Sequence, residues 1–220
     1  MQAFTTHRGR AALLDRADVN TDLIIPARYL KRVERGGYGP LLFADKRYVA
    51  GGAPEPDDPE RHGPEDPDFP LNGPTVRGAS VLVVRKNFGC GSSREHAVWA
   101  VAQAGFRALI APVRGEGFAD IFEGNAFGNG LLPIELDQPD WERLADLCRP
   151  GAEVAIDLAA STVTVHPDAG EPQTFAFAIP EAQRHRLLNG LDAIAETLLD
   201  AEAIAAHERK APSWLAPQPA

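Results

Sequence analysis

Cysteine occurs only twice in these 220 residues, at Cys90 and Cys148, far apart in sequence. That scarcity argues against a disulfide framework and makes a reducing cytoplasm the expectation. No CxxC and no HExxH pattern occurs, so no self-contained metal site is assigned. Long apolar runs are missing too. Nothing approaches the ~18 apolar residues of a membrane span, and the opening MQAFTTHRGRAALLD lacks the shape of a signal peptide. Positive charge is in deficit. The formal net charge of −9 disfavours nonspecific binding to nucleic acid or to an anionic membrane. A small anionic ligand is not excluded, because a site needs only local positive charge.

What is present is a soluble globular composition, 44% hydrophobic and 24% charged, long enough to bury one sizeable core. A single domain over residues 1–220 is expected, without internal repeats. Residues 51–74 are dense in Pro, Gly and Asp. They read as a long loop or flap, or, in their acidic middle, as an ordinary surface insertion. The tail after about residue 210 reads as loose.

Ser80–Val84 and Ala108–Pro112 are continuous apolar runs, as buried strands are. Between them lie a glycine turn and a helix over 93–104, closed by Gly105. Such a unit favours parallel strands. A short helix over 118–126, a strand over 131–136 and a helix over 140–148 follow. Residues 153–158 and 162–166 alternate as a hairpin does. Residues 174–179 add a strand, and 180–207 is helical by pattern with a break at Asn189-Gly190. The first segment, to about Leu42, shows only short apolar pieces between polar turns. The class is α/β with an appended hairpin layer.

The chemistry concentrates in Asn87 to His96, NFGCGSSREH. It lies between a buried strand and a helix, where ligands collect in open α/β sheets. Gly89 and Gly91 let backbone approach a ligand closely. Unpaired N–H groups and the helix dipole favour negative charge there. Arg94 is a planar cation suited to gripping a carboxylate through two hydrogen bonds. Gly89-x-Gly91 matches the first two glycines of a dinucleotide fingerprint, but Arg94 stands where the third belongs, and a P-loop lacks its Gly-Lys-Ser/Thr.

Ser92-x-x-Glu95 fits a capping box, in which the serine only starts the helix. A serine alkoxide stabilised by backbone donors and an arginine can also serve as a base. The residues alone leave both roles open. A helix N-terminus lowers a thiol pKa, yet a Cys–His pair needs geometry that a sequence does not show. Cys90 therefore reads as structural, and His96, inside the helix, as a packing residue.

NFGCGSSREHA also resembles the signature of the swivelling domain of the aconitase superfamily. Three further stretches agree in order and spacing. DVNTDLIIP at 18–26 resembles the family's DxxTDxIxP segment, Phe118–Asn125 its FADIF helix, and Leu131–Ile134 its GLLP strand. The wording of the glycine turn, the length of the chain and QRHRLLNGLD at 183–192 are similar to the small subunits of the isopropylmalate isomerases, the 3-isopropylmalate dehydratases. One departure stands out. Val113-Arg114-Gly115-Glu116-Gly117 intervenes where the family runs almost directly from strand to FADIF.

The resemblance implies the swivelling β/β/α fold of the C-terminal domain of aconitases. It implies a large partner subunit, in a heterodimer or larger assembly, that carries a [4Fe–4S] cluster on three cysteines; this chain alone would bind none. It implies a small dicarboxylate substrate. In leucine biosynthesis 2-isopropylmalate is dehydrated to isopropylmaleate and rehydrated as 3-isopropylmalate.

By motif position Ser92 is the base. Arg94 stabilises its alkoxide and binds carboxylate with Ser93, beside Gly91. Asp22 has an orienting role, unless it is only a turn or cap residue. Arg28-Tyr29-Leu30-Lys31 matches the family's specificity loop, with Leu30 against the isopropyl group. Arg28, Lys31, Arg32 and Arg35 make that loop basic, with Arg32 and Arg35 equally readable as a solvated helix face. Apolar discrimination is modest, about 1–3 kcal/mol per methylene. The small subunit of a homoaconitase or of a citramalate/citraconate isomerase therefore stays open, as does a cluster-free anion-binding or regulatory module that reuses the fold.

Overall fold

The computed structural model describes residues 1–149 and 151–210; the tail expected to be loose lies outside them. Seven strands form one sheet: β1 (Thr6–Leu14), β2 (Val81–Val84), β3 (Ala108–Pro112), β4 (Leu132–Leu136), β5 (Glu153–Asp157), β6 (Thr162–His166) and β7 (Gln173–Ala176). Their order across the sheet is β4-β3-β2-β1-β5-β6-β7. The chain is mixed α/β, as the resemblance implies.

Strand β1 joins two wings. Its second half, Ala11–Leu14, pairs in parallel with β2, and β2, β3 and β4 continue in parallel. Its first half, Thr6–Arg10, pairs antiparallel with β5, which carries the β5–β6–β7 meander. The hairpin expected as an appended layer is thus the same sheet continued through β1, a strand the sequence reading left out. Thr6–Arg10 carries two arginines, a histidine and a glycine in a half-exposed alternation, and only Ala11–Leu14 is apolar. Neither half alone gives a strand-length apolar signal.

Strand periodicity splits the core in two. Leu82, Val84, Leu109 and Ala111 face one side, and Val81, Val83, Ala108 and Ile110 the other, because successive side chains of a strand point to opposite faces. The first side is covered by α3 (Glu95–Gln103) through Ala97, Val98, Ala100 and Val101, and by α4 (Asp120–Gly128) through Phe122 and Ala126. The second is covered by α5 (Gln138–Cys148), with Trp141, Leu144, Ala145 and Cys148 at the i, i+3, i+4, i+7 spacing of an amphipathic face. Beyond β7 come α6 (Glu181–Asn189), α7 (Ala193–Thr197) and α8 (Ala201–Glu208). Gly190 ends α6 in the left-handed conformation, φ +66°, which marks the expected break.

The 51–74 segment has no strand and a single 3-10 turn at Pro70–Asn72, yet it is tied down. Glu65 takes both Arg47 and Arg77, each at 2.9 Å. The Asn72 amide donates to the Arg47 and Asp66 carbonyls. Gly63 donates to the Gly52 carbonyl at 2.9 Å. Leu82 is fully buried in β2, an inner strand of the parallel wing. Leu82→Ala should lower unfolding free energy by about 2–5 kcal/mol, read from the midpoint shift in a urea titration.

Candidate active site

The glycine turn follows β2 and is stitched on both sides by main chain. Towards the first segment, Gly89 N–H donates to the Val19 carbonyl at 2.7 Å and Thr21 N–H to the Cys90 carbonyl at 2.9 Å. The Thr21 hydroxyl donates to the Ser92 carbonyl at 2.9 Å. Towards the FADIF stretch, Asn87 N–H donates to Glu116, Phe88 N–H to Gly117, and Ala119 N–H to the Phe88 carbonyl, at 2.8–3.0 Å. Three stretches far apart in sequence thereby meet at the carboxyl end of β2.

The stitching needs unusual backbone. Asn87, Gly89 and Gly91 have φ of +60°, +80° and +94°, the region that favours glycine and tolerates asparagine. Gly89 has a second constraint. A Cβ there would lie 2.3 Å from Cγ of Phe122, so α4 packs directly on turn backbone. The inserted residues 113–117 are anchored by Glu135 on β4, whose carboxylate accepts from Gly115 N–H at 2.6 Å and Gly117 N–H at 2.9 Å. Val113 is turned to φ +61°, an outlier for a β-branched residue.

The capping box does not form. Helix α3 begins at Glu95 rather than Ser93, with Arg94 at the N-cap and no side-chain cap bond. Glu95 instead accepts from the Asn129 amide at 3.1 Å. Neither serine caps the helix. The Ser92 carbonyl is committed to Thr21, and the side chain is exposed.

The Arg94 side chain, 14% exposed, pairs through Nη1 with Oδ1 of Asp22 on the short helix α1 (Thr21–Ile24). Asn20 caps that helix, accepting from Leu23 N–H at 2.8 Å. The Asp22 carboxylate is therefore not the cap; it holds Arg94.

Beside this pair opens a cavity of about 230 Å³ lined by Thr21, Gly91, Ser92 and Arg94 and, from α4 and its lead-in, by Ala119, Asp120, Ile121 and Phe122. A larger cavity, about 670 Å³, shares α1 with it through Leu23 and runs between Leu14, Phe43 and Phe69. It contains no residue of the glycine turn, and size alone does not make it the reacting site.

The structure brings Asp22, Gly91, Ser92 and Arg94 together. Ser93 is exposed on the same turn but does not line the cavity. The expected specificity loop forms a 3-10 turn, Ala27–Lys31, outside the cavity. Tyr29 is fully buried, and its hydroxyl donates to the Pro54 carbonyl at 2.8 Å. Burial pushes its phenol above the usual range. The Tyr29 side chain anchors the loop to the 51–74 segment. Leu30 packs against the core. Arg28 is held by Asp45 and by the Tyr29 hydroxyl, and Lys31 is exposed.

Burial and the nearby Asp18 charge push the Cys90 thiol up, which opposes a nucleophile. His96 packs against Tyr38 and Trp99, with ring centroids 5.6 and 4.7 Å away. Burial depresses its pKa, favouring the neutral ring. Thr21 and Ile121 were not singled out from sequence; their only signal was membership of the two motifs flanking the turn. Gly89→Ala should cost about 1–3 kcal/mol by overpacking, with further strain from the positive φ. A near-unchanged denaturation midpoint would mean that α4 does not rest on the turn.

The chain matches the family model described as the aconitase C-terminal domain over residues 1–139. It is 51% identical over 220 residues to a 3-isopropylmalate dehydratase small subunit of Teredinibacter turnerae, covering 98% of this chain and 97% of that one. A small subunit of the same name from Shewanella denitrificans is 46% identical, with coverage of 98% and 100%. A crystal structure of 3-isopropylmalate dehydratase from Methanocaldococcus jannaschii superposes with a TM-score of 0.58 at 27% identity, covering 92% of this chain and 98% of that one.

Proposed function

The chain belongs to the aconitase C-terminal domain family, in the branch of 3-isopropylmalate dehydratase small subunits, and we propose from that premise which of its residues perform the reaction. The activity is that of a hydro-lyase, interconverting 2-isopropylmalate and 3-isopropylmalate through isopropylmaleate in leucine biosynthesis. The small-subunit naming of the relatives implies a large-subunit partner.

Among the described residues no group of three or more His, Cys, Asp or Glu side chains converges as a metal ion requires. The two cysteines are free, Cys148 buried and Cys90 half-buried in the glycine turn, short of the three that the resemblance implies for the cluster. These residues do not fit an iron–sulfur cluster, and we assign the cluster that the resemblance implies to the large subunit. Among the described residues no helix is long and apolar enough to cross a membrane, and we place the enzyme in the cytoplasm with its pathway.

The observation that carries the residue assignment is that Arg94, held by Asp22, lines one cavity with Ser92. Asp22 fixes the guanidinium, so Arg94 meets a carboxylate with little reorganisation. Arg94, lining the same cavity, favours the ionised Ser92 hydroxyl. Ser92 Oγ would take the proton from the substrate carbon next to the one bearing the hydroxyl, which leaves on the partner's side as the double bond forms. Rehydration then places a hydroxyl on the carbon that lost the proton and a proton, from Ser92, on the carbon that lost the hydroxyl. Ser93 and the basic loop of Arg28, Leu30 and Lys31 stand outside the cavity in this chain; we assign them contacts to substrate held against the partner.

Co-purification with the large subunit under anaerobic conditions, assayed on 2-isopropylmalate, tests the reading. Ser92→Ala should lower kcat by about 10²–10⁴-fold, the range for a lost acid–base group, while co-elution is unchanged. Activity retained within tenfold would move the base role elsewhere. Arg94→Lys should also be severe, because a point charge replaces neither the planar fork nor its pairing with Asp22. Near-normal kcat and KM would count against the assigned carboxylate contact.

A further inference from the structure

Thr21 is a polar residue only 2% exposed. Valine has the same branched shape and would fill the same space, so packing does not account for a threonine. The hydroxyl is engaged instead. It donates to the Ser92 carbonyl at 2.9 Å, while Thr21 N–H donates to the Cys90 carbonyl at 2.9 Å. The two bonds grip the turn on either side of Gly91, where φ is +94° and no side chain steadies the backbone. Thr21 lines the cavity, but its one hydroxyl proton is spent within the chain and is not offered to substrate.

The element that carries Thr21 is anchored. Asn20 caps α1, Ile24 and Ile25 are fully buried, and Phe43 N–H donates to the Ile24 carbonyl at 2.8 Å. The next residue after Thr21 is Asp22, which holds Arg94. Neighbouring residues of one short helix therefore hold two groups of the same cavity: Thr21 the main chain of Ser92, and Asp22 the guanidinium of Arg94. A cation favours an anion more strongly the nearer it is held. The placement of Ser92 relative to Arg94 thus governs how readily the serine ionises.

We propose that Thr21 is a positioning residue for the reaction. By holding the Ser92 carbonyl it fixes the Ser92 hydroxyl relative to Arg94 in their shared cavity and keeps it ionisable. This rests on the reading of Ser92 as the base. The sign of the effect follows. With the hold released, the anion loses part of its stabilisation, the Ser92 pKa rises, and the ascending limb of the kcat profile moves to higher pH.

The test uses the complex assembled with the large subunit, assayed on 2-isopropylmalate across pH. Thr21→Val keeps the shape and removes the donor. It should lower kcat by about 10–10²-fold, the scale of a slightly misplaced reacting group, with KM little changed and the ascending limb displaced upward. Thr21→Ser keeps the donor and should restore both the rate and the profile.

A wild-type rate and pH profile in Thr21→Val would overturn the proposal. So would a loss confined to KM, which would make Thr21 a substrate contact, or equal losses in the valine and serine variants, which would make methyl packing the cause. If Thr21→Val does not assemble, Thr21→Ala decides by the same measures; if neither assembles, Thr21 serves folding and the proposal falls. A Ser92→Ala complex that keeps its turnover would instead sink the base reading, whatever Thr21 does.

Discussion

The site depends on a main-chain seam. The turn after β2 gives its N–H groups to the Val19, Glu116 and Gly117 carbonyls and accepts from Thr21 and Ala119, so three distant stretches share one hydrogen-bond network. Buried main-chain groups left unpaired are costly, and each stretch satisfies the others. Side-chain placement follows. Thr21 pins the Ser92 carbonyl, which turns the hydroxyl outward. Asp22, one residue on, holds Arg94. Phe122 brings α4 against the turn. The functional groups are few, and most of the nearby sequence is there to aim them.

The electrostatics are local in the same sense. A chain of net charge −9 is a poor attractor of dicarboxylates at long range, and beyond a Debye length of roughly 8–10 Å its average charge is screened. What matters is one guanidinium, 14% exposed, beside a cavity wall. Its partner Asp22 is 55% exposed, so the pair stays hydrated on one side. It serves to orient the fork more than to stabilise the fold, since exposed ion pairs contribute about 0–1 kcal/mol.

Much of this was legible in the sequence, and the failures have specific causes. β2, β3 and β4 announce themselves as apolar runs, and the β5–β6 hairpin as clean alternation. β1 stayed hidden because its two halves obey different rules, one face wet in the first and both faces dry in the second. The capping box at Ser92 and Glu95 was a correct local pattern overruled by tertiary bonds to Thr21 and Asn129. Tyr29 falls in the stretch that resembles the specificity loop, and a phenol reaching the Pro54 carbonyl cannot be foreseen without the fold. Ile121 gives no signal beyond its motif, because an isoleucine in a helix reads as core unless the buried face is known.

The double membership of β1 restricts how the chain can vary. Arg10 faces Glu153 on the antiparallel side, and Ala11, the next residue, faces Val81 on the parallel side. A residue inserted at this junction would flip every later side chain of the strand to the opposite face. Ala12 and Leu14 would trade places with Ala11 and Leu13 across the sheet, while Thr6–Arg10, paired with the meander, kept its old phase. Length changes should therefore be tolerated in the surface segments and forbidden at this one point, where the molecule has no slack to absorb them.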